Sequence, residues 1–326
     1  MTATTAEADL GTHRLPEPNM SAVGPRTFDS LSADPRKRVA YRLDPYAREG
    51  LDLFRAPGDR AWLYTTTFVV IKPDAVVGRR GGMILDILGE EGWLPIAARP
   101  FTFDPLLTRE IWRYQFNAAS RQRIAVVDHL LGSSPSLLVL LRDTSRADGL
   151  PASVRLTAAK GGADPSAARA RDLRTRFGRV NGLFNFIHTA DEPADVVREL
   201  RLFSYRTGTD WLRAARTATP SAAGEECPAR TLLDGLEADA PAHDLDSARS
   251  VARLTVRDDV WGSLAREHGS RDDVRRWLSA LEESELPAGT ARWDVLSVLT
   301  DWIDCNEPGV TPLLATVSAT DWRKQA

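Results

Sequence analysis

The sequence predicts an α/β layer followed by a separate all-helical domain. Three observations carry this. Short β-branched or apolar runs alternate with helix-spaced segments between residues 62 and 203. The stretch "DWLRAARTATPSAAGEECPAR" then has the Ala, Thr, Pro, Ser and Gly content of a linker. Six of the nine tryptophans (Trp211, Trp261, Trp277, Trp293, Trp302 and Trp322) fall after residue 205, among segments of helical period, as the core of a small helical domain would need.

Residues 1 to about 30 show little periodicity and are expected to be mobile. "RVAYRLDPYAREGLDLF" is an arm expected to pack on a neighbouring domain through Tyr41, Tyr46, Leu51 and Phe54. "TTTFVVIKP", ended by a proline, predicts a buried strand. "GGMILDILGEEGW" spaces Ile84, Leu85, Ile87 and Leu88 as a helix stopped by Gly92. "LPIAARPFTFDP" is the second strand, "LLTREIWRYQFNAA" and "RIAVVDHLLGS" are two helices, and "SLLVLLRD" is the third strand. "LFNFIHT" predicts a short fourth strand. "DEPADVVRELRLF" follows as a helix, with acids in its first turn and Pro193 near its start. Beyond the linker, "VWGSLAREHGSRDDVRRWLSALEES", "ARWDVLSVLTDWI" and "VTPLLATVSA" read as helical. The expected organisation is an extension over 1–60, partly disordered, a catalytic-type domain over 61–205, a linker over 206–228 and a helical domain over 229–326.

Composition excludes several classes. Forty-two basic against 45 acidic residues give a net charge of −3, which favours neither nucleic acid nor an anionic membrane. No run of 18 apolar residues is long enough to span a bilayer, and the N-terminus lacks the flanks of a signal peptide. Two cysteines, Cys227 and Cys305, offer no disulfide framework or zinc spacing, so a reducing, cytoplasmic setting is expected and no protein-held metal.

Candidate chemistry gathers at three places. In "VVIKPDAVVGRRGG", Lys72 leaves a strand just before a helix start, where backbone N–H groups favour anions; alone, such a Lys-Pro-Asp is equally a turn. The chain has neither a G-x-x-x-x-G-K-[ST] loop nor a G-x-G-x-x-G motif. "RARDLRTRFGRVNG" gathers five arginines, either a solvated face or a set of guanidinium forks for phosphate oxygens. In "NGLFNFIHTADEP", His188 stands on a short apolar strand, with Glu199 on the next helix. A lone histidine there is either a satisfied core residue or a nucleophile whose second nitrogen is held by a carboxylate.

Together, "TFVVIKPDAV", "GSSPSLLVLL" and "NFIHTADEPADVVRELRLF" occur in the order and spacing of the nucleoside diphosphate kinase family, which the chain resembles from about Thr66 to Phe203. The resemblance implies a ferredoxin-like fold, an α+β arrangement of a four-stranded antiparallel sheet covered by helices. It also implies ping-pong transfer of a γ-phosphoryl group from ATP or another nucleoside triphosphate, bound with Mg²⁺, through phosphohistidine. By the same resemblance His188 is the nucleophile and Glu199 its orienting carboxylate. Lys72 and Tyr114 contact the transferring phosphate, Arg174 and Arg155 clamp phosphates, and Asn185 holds the ribose 3′-hydroxyl. Relative to the family, two residues are inserted between Arg155 and Pro165.

The pattern also breaks. Gln122 stands where the family has a base-stacking phenylalanine, Ala190 where a serine supports the carboxylate, Ala163 where a threonine binds phosphate, and Ala75 where a glycine follows "KPD". Losing a stacking aromatic weakens base binding by about 1–3 kcal/mol. Arg121 and Arg123 are open to stacking on a base, binding an acidic acceptor or facing solvent. The expectation is therefore phosphotransfer to a nucleoside diphosphate or to a specialised small molecule, with a non-catalytic nucleotide-binding module on the same fold as the alternative. The added arm and helical domain are available to cover the pocket, contact the acceptor or cap a surface by which compact members form hexamers. A homodimer or monomer is compatible with that.

Overall fold

The computed structural model describes residues 27–145, 149–162, 165–217 and 227–325. An arm of three helices, α1 (Pro35–Leu43), α2 (Pro45–Leu53) and α3 (Asp59–Thr65), leads into β1 (Thr66–Ile71). Then come α4 (Pro73–Val77), α5 (Gly81–Glu90), β2 (Trp93–Phe101), α6 (Pro105–Ile111), α7 (Arg121–Gly132), β3 (Ser136–Asp143), α8 (Ala152–Lys160), α9 (Leu173–Arg176), β4 (Ile187–Thr189) and α10 (Pro193–Thr207). The remainder is helical: α11 (Asp210–Thr217), α12 (Ala229–Asp239), α13 (Ser247–Leu254), α14 (Val260–Glu267), α15 (Val274–Glu283), α16 (Thr290–Trp302) and α17 (Ala319–Gln325).

The sheet has the order β2-β3-β1-β4, and every neighbouring pair is antiparallel. This is the ferredoxin-like α+β sheet, with helices added at both ends of the domain. All six residues of central β1 are buried, which explains its unbroken apolar run. β2 is an edge strand, so Pro95 and Pro100 cost the ladder little, and its register slips between Pro95 and Ala97.

Four expectations change. Strand β4 forms only over Ile187–Thr189, not from Leu183. Phe186 adopts φ 71°, and the Asn181 carboxamide oxygen accepts from the backbone N–H groups of Leu183 and Phe184, so residues 181–186 form a loop instead of pairing. The helix expected from Leu106 stops at Ile111. There Trp112 leaves helical geometry and lies between Phe103 and Phe116, at ring separations of 5.8 and 6.1 Å. Residues 210–217, assigned to the linker, form a helix whose Trp211 and Leu212 are buried and which packs on β2; residues 218–226 lie outside the described set. "VTPLLATVSA" is not a helix: residues 310–318 run without regular structure across the sheet-containing domain.

The arm is not peripheral. Tyr41, Leu51 and Phe54 are buried as expected, whereas Tyr46 is half-buried with its ring edge-on to Tyr205. Residues 1–26, including most of the stretch expected to be mobile, are outside the described set. Trp261, Trp277, Trp293 and Trp302 build the C-terminal core, but Trp211 packs beneath Arg99 of β2 and Trp322 edge-on to Tyr64. Burying such a ring contributes about 3 kcal/mol or more. Among the described residues, no helix is long and apolar enough to cross a membrane.

Candidate active site

His188 lies on the edge strand β4, opposite Val70 of β1. Alternation sends Ile187 and Thr189 into the core and leaves His188 at the rim of a cavity of about 1180 Å³. Its Nε2 is 2.6 Å from Oε2 of Glu199, one helix away on α10. A carboxylate only accepts, so Nε2 bears the proton and Nδ1 carries the lone pair. Trp112 packs edge-on against the imidazole at 5.0 Å between centroids, which restricts the ring further.

The loop before His188 is held from two sides. Asp74 is fully buried, and its Oδ2 accepts from the N–H of Phe186, the residue in left-handed conformation, at 2.8 Å. The Lys72 N–H donates to the carbonyl of that same Phe186 at 2.9 Å. From the C-terminal domain, Thr300 on α16 accepts from Asn181 at 3.2 Å, and Trp293 packs on Phe184. The cost of a positive φ at a phenylalanine, about 1–3 kcal/mol, is thus opposed by several bonds at once.

Cations line the cavity. Lys72 Nζ donates to the Leu183 carbonyl at 2.8 Å and lies 3.4 Å from Asp74; burial pushes its pKa down, and the Asp74 charge offsets this incompletely. Arg174 donates to the carbonyls of Gly161 and Ile187, both at 3.1 Å, and to the Asn185 side chain at 3.4 Å. Burial and the nearby Arg179 charge bring its pKa down to about 10. Its Nε is buried with no hydrogen-bond partner among the described residues, as is that of Arg123. Arg123 reaches the cavity and donates to Asn306 at 3.1 Å, whereas Arg121 faces solvent. The positive charges of Lys72 and Arg174 on the wall of this cavity fit the oxygens of a phosphate chain.

Tyr114 and Asn185 also line this cavity. The Tyr114 hydroxyl, however, donates to Asp44 of the arm at 3.0 Å; burial and the Asp44 charge push its pKa up to about 12. Arg155 departs from the clamping role expected of it. Its guanidinium is bound at two points by Asp143, at 2.6 and 2.8 Å, and lies 3.7 Å from the centroid of the Trp93 ring. Ala163 lies outside the described residues, and Ala190 is a fully buried apolar contact whose carbonyl accepts from Thr157. Among the described residues no group of three or more His, Cys, Asp or Glu side chains is placed to hold a metal ion.

Sequence reasoning missed three contributors. The first is the arm: Lys37 and Tyr41, one turn apart on α1, meet Asp195 on α10, and Lys37 also meets Glu192 at 2.9 Å. The i, i+4 spacing of Lys37/Tyr41 and of Asp195/Glu199 is the sequence signal for two helix faces in contact. The second is Lys160 at the end of α8, buried and facing the cavity, for which "TAAKGG" gives no warning. The third is the C-terminal strap. Asn117 donates to the Thr311 carbonyl at 2.9 Å and accepts from the Leu313 N–H at 3.0 Å. Gln122 Oε1 accepts from the Asp304 N–H at 3.1 Å, and Thr316 donates to Asp191 at 2.7 Å. The strap therefore forms one wall of the cavity, which Arg123 and Asn306 also line.

An antiparallel four-stranded sheet that carries a carboxylate-held histidine on its edge, before buried cations, defines a ferredoxin-like domain built around a histidine site. Residues 65–207 match the family model described as nucleoside diphosphate kinase, which makes this stretch a domain of that family's type. The match supports nucleotide phosphotransfer of the kinase type at the family level. Among solved structures, the chain is similar to an Aquifex aeolicus nucleoside diphosphate kinase, with 25% identity, coverage of 43% of this chain and 94% of that one, and a TM-score of 0.35. It is also similar to the enzyme from Encephalitozoon cuniculi (21% identity, 43% and 88% coverage, TM-score 0.36). A nucleoside diphosphate kinase family protein from Babesia bovis is a third (18% identity, 52% and 99% coverage, TM-score 0.36). No curated protein matches the chain.

Proposed function

We propose that the protein transfers the γ-phosphoryl group of a nucleoside triphosphate to His188 and from there to a second, small-molecule acceptor. The observation that carries this reading is the 2.6 Å contact between His188 Nε2 and Glu199, which leaves Nδ1 as the nucleophilic nitrogen beside a cation-lined cavity. In the first half-reaction an Nδ1–P bond forms as the bond from phosphorus to the β–γ bridging oxygen breaks, and the nucleoside diphosphate leaves with that oxygen. In the second, an acceptor oxygen takes the phosphoryl group and His188 returns to the neutral ring. Glu199 keeps the proton on Nε2 and opposes the positive charge that develops on the imidazole. Lys72 and Arg174 stabilise charge spread over the phosphoryl oxygens, which is where most of the catalysis in this chemistry resides. Asn185, which lines the cavity, would bond a sugar hydroxyl, and Tyr114, held by Asp44, would shape the wall beside the transferred group. Mg²⁺ arriving with the nucleotide would supply further neutralisation, and the cavity cations Lys72 and Arg174 fit a phosphate chain that carries its own metal.

The acceptor is a nucleoside diphosphate or a more specialised molecule, and the strap favours the second. Gln122, which stands at the family's base-stacking position, is bonded to Asp304, and the C-terminal segment walls the cavity through Asn306, Val310, Pro312 and Thr316. The acceptor side is thus shaped by residues outside the kinase-like domain. Initial rates with varied donor and acceptor test the reading: parallel double-reciprocal lines are expected, and intersecting lines with no isolable phosphoenzyme would refute it.

A further inference from the structure

Lys160 ends α8 and is nine-tenths buried, yet it faces the cavity that holds His188. A cation in the last turn of a helix is common, because the carbonyl ends attract positive charge, but such lysines ordinarily reach into water. This one does not. The carboxylate facing it is Asp191, at 3.6 Å, beyond hydrogen-bond length. Asp191 is itself engaged by Thr316 at 2.7 Å and more loosely by Thr157 at 3.4 Å. The next residue, Gly161, accepts from Arg174, so the chain brings two cations to one side of the cavity, and the φ of +79° at Gly161 makes the turn between them. A side chain at Gly161 would collide with the Asp172 carboxylate at 2.5 Å. Burial and the Arg174 charge both push the Lys160 pKa down, and the charges of Asp191 and Glu199 offset this in part. A buried ammonium beside a guanidinium, with one long ion contact, is a site that an anion completes.

We infer that Lys160 binds anionic oxygens of the phosphate chain held in this cavity, in the place that the tethered guanidinium of Arg155 cannot take. Five residues apart on α8, the two cations divide the work: Arg155 ties the helix to Asp143 and Trp93, and Lys160 meets the ligand. The inference rests on reading the cavity as a phosphate site.

The test is calorimetric binding of inorganic tripolyphosphate to the full chain, comparing wild type with Lys160→Met and Lys160→Arg. Methionine keeps the length and removes the charge, so affinity should fall at least about tenfold, with arginine restoring most of it. Wild-type binding should weaken as pH rises toward the ordinary lysine range, and the methionine variant should show a shallower dependence. Its thermal midpoint should fall somewhat, since Asp191 loses a charge partner; a cooperative unfolding transition well above the assay temperature, with the arginine variant alongside, separates lost binding from lost folding. Unchanged affinity in the methionine variant, or no binding by wild type, overturns the inference. Phosphoryl transfer to His188 is measured separately. Tripolyphosphate binding that depends on Lys160, without phosphorylation of the protein, would sink the transfer reading and leave this one standing.

Discussion

Asp44 offers the sharpest test of how the arm supports the site. One oxygen caps α2 by accepting from the Ala47 N–H at 2.9 Å. The other accepts from Arg198 Nε at 2.8 Å and from the Tyr114 hydroxyl at 3.0 Å. The Arg198 side chain is 1% exposed, and its other carboxylate contact, Glu110, is 3.6 Å away. Asp44→Ala leaves a buried guanidinium without its close partner, a loss of about 3–5 kcal/mol, and removes a helix cap worth about 1 kcal/mol. These terms overlap, so the expected destabilisation is about 4 kcal/mol. Asp44→Asn keeps an acceptor and a good cap but not the charge, and should cost about half as much. Replacing the arginine as well, in Asp44→Ala/Arg198→Met, removes the unpaired charge and should recover about 2 kcal/mol relative to additivity. Urea unfolding of wild type, these variants and Arg198→Met alone, monitored by tryptophan fluorescence, gives the values for the cycle from midpoints at constant slope. Additive losses, with coupling near zero, would refute the claim that Asp44 and Arg198 act as one buried pair joining the arm to the helix of Glu199.

Two further outcomes follow from the same geometry. Asn117→Ala removes both of its bonds to the strap, so amide exchange over residues 306–317 should speed up about tenfold while global stability falls little; unchanged exchange would mean the strap is held elsewhere. Stability should also depend on acid pH in two stages. Burial raises the Glu192 pKa above 4.5 despite Lys37, so folding binds an extra proton there, and stability should rise slightly as pH falls through that raised value toward 4.5. Burial works against Asp143 and Asp191 too, but Arg155, and the charges of Lys160 and Lys37, outweigh it and hold both below 3.8. Their contribution is full above 3.8 and should be lost as pH falls through the lowered values, which urea midpoints between pH 2 and 6 would show.

The sheet was legible in the sequence because its strands are continuous apolar runs, and the helices because their apolar positions recur at 3.6-residue spacing. Strand order and antiparallel pairing came from the family resemblance, since spacing alone fits several topologies. His188, Glu199, Lys72, Tyr114, Arg174, Asn185 and Arg155 were all singled out, and the structure lines one cavity with them. The actual partners of two of them were not legible. Arg155 meets Asp143 and Tyr114 meets Asp44 through contacts 12 and 70 residues apart, which no local pattern encodes. Residues 310–318 read as a helix because Leu313, Leu314 and Val317 have helical spacing. Their backbone follows Asn117 and Asp191 instead, and Leu314 and Val317 are buried as part of a strap. The loop of residues 181–186 failed as a strand for a similar reason: two asparagines occupy backbone groups that a ladder would have used.

The central claim is that His188 carries the phosphoryl group, and intact mass measured after mixing with ATP and Mg²⁺ addresses it most directly, with His188→Ala alongside. The account predicts the gain of one phosphoryl group that is lost in acid, survives base and is absent from a variant that still folds. Wild type that binds ATP yet gains no mass, or a variant that is labelled equally, would contradict it and leave the domain as a nucleotide-binding module or a kinase that bypasses the histidine.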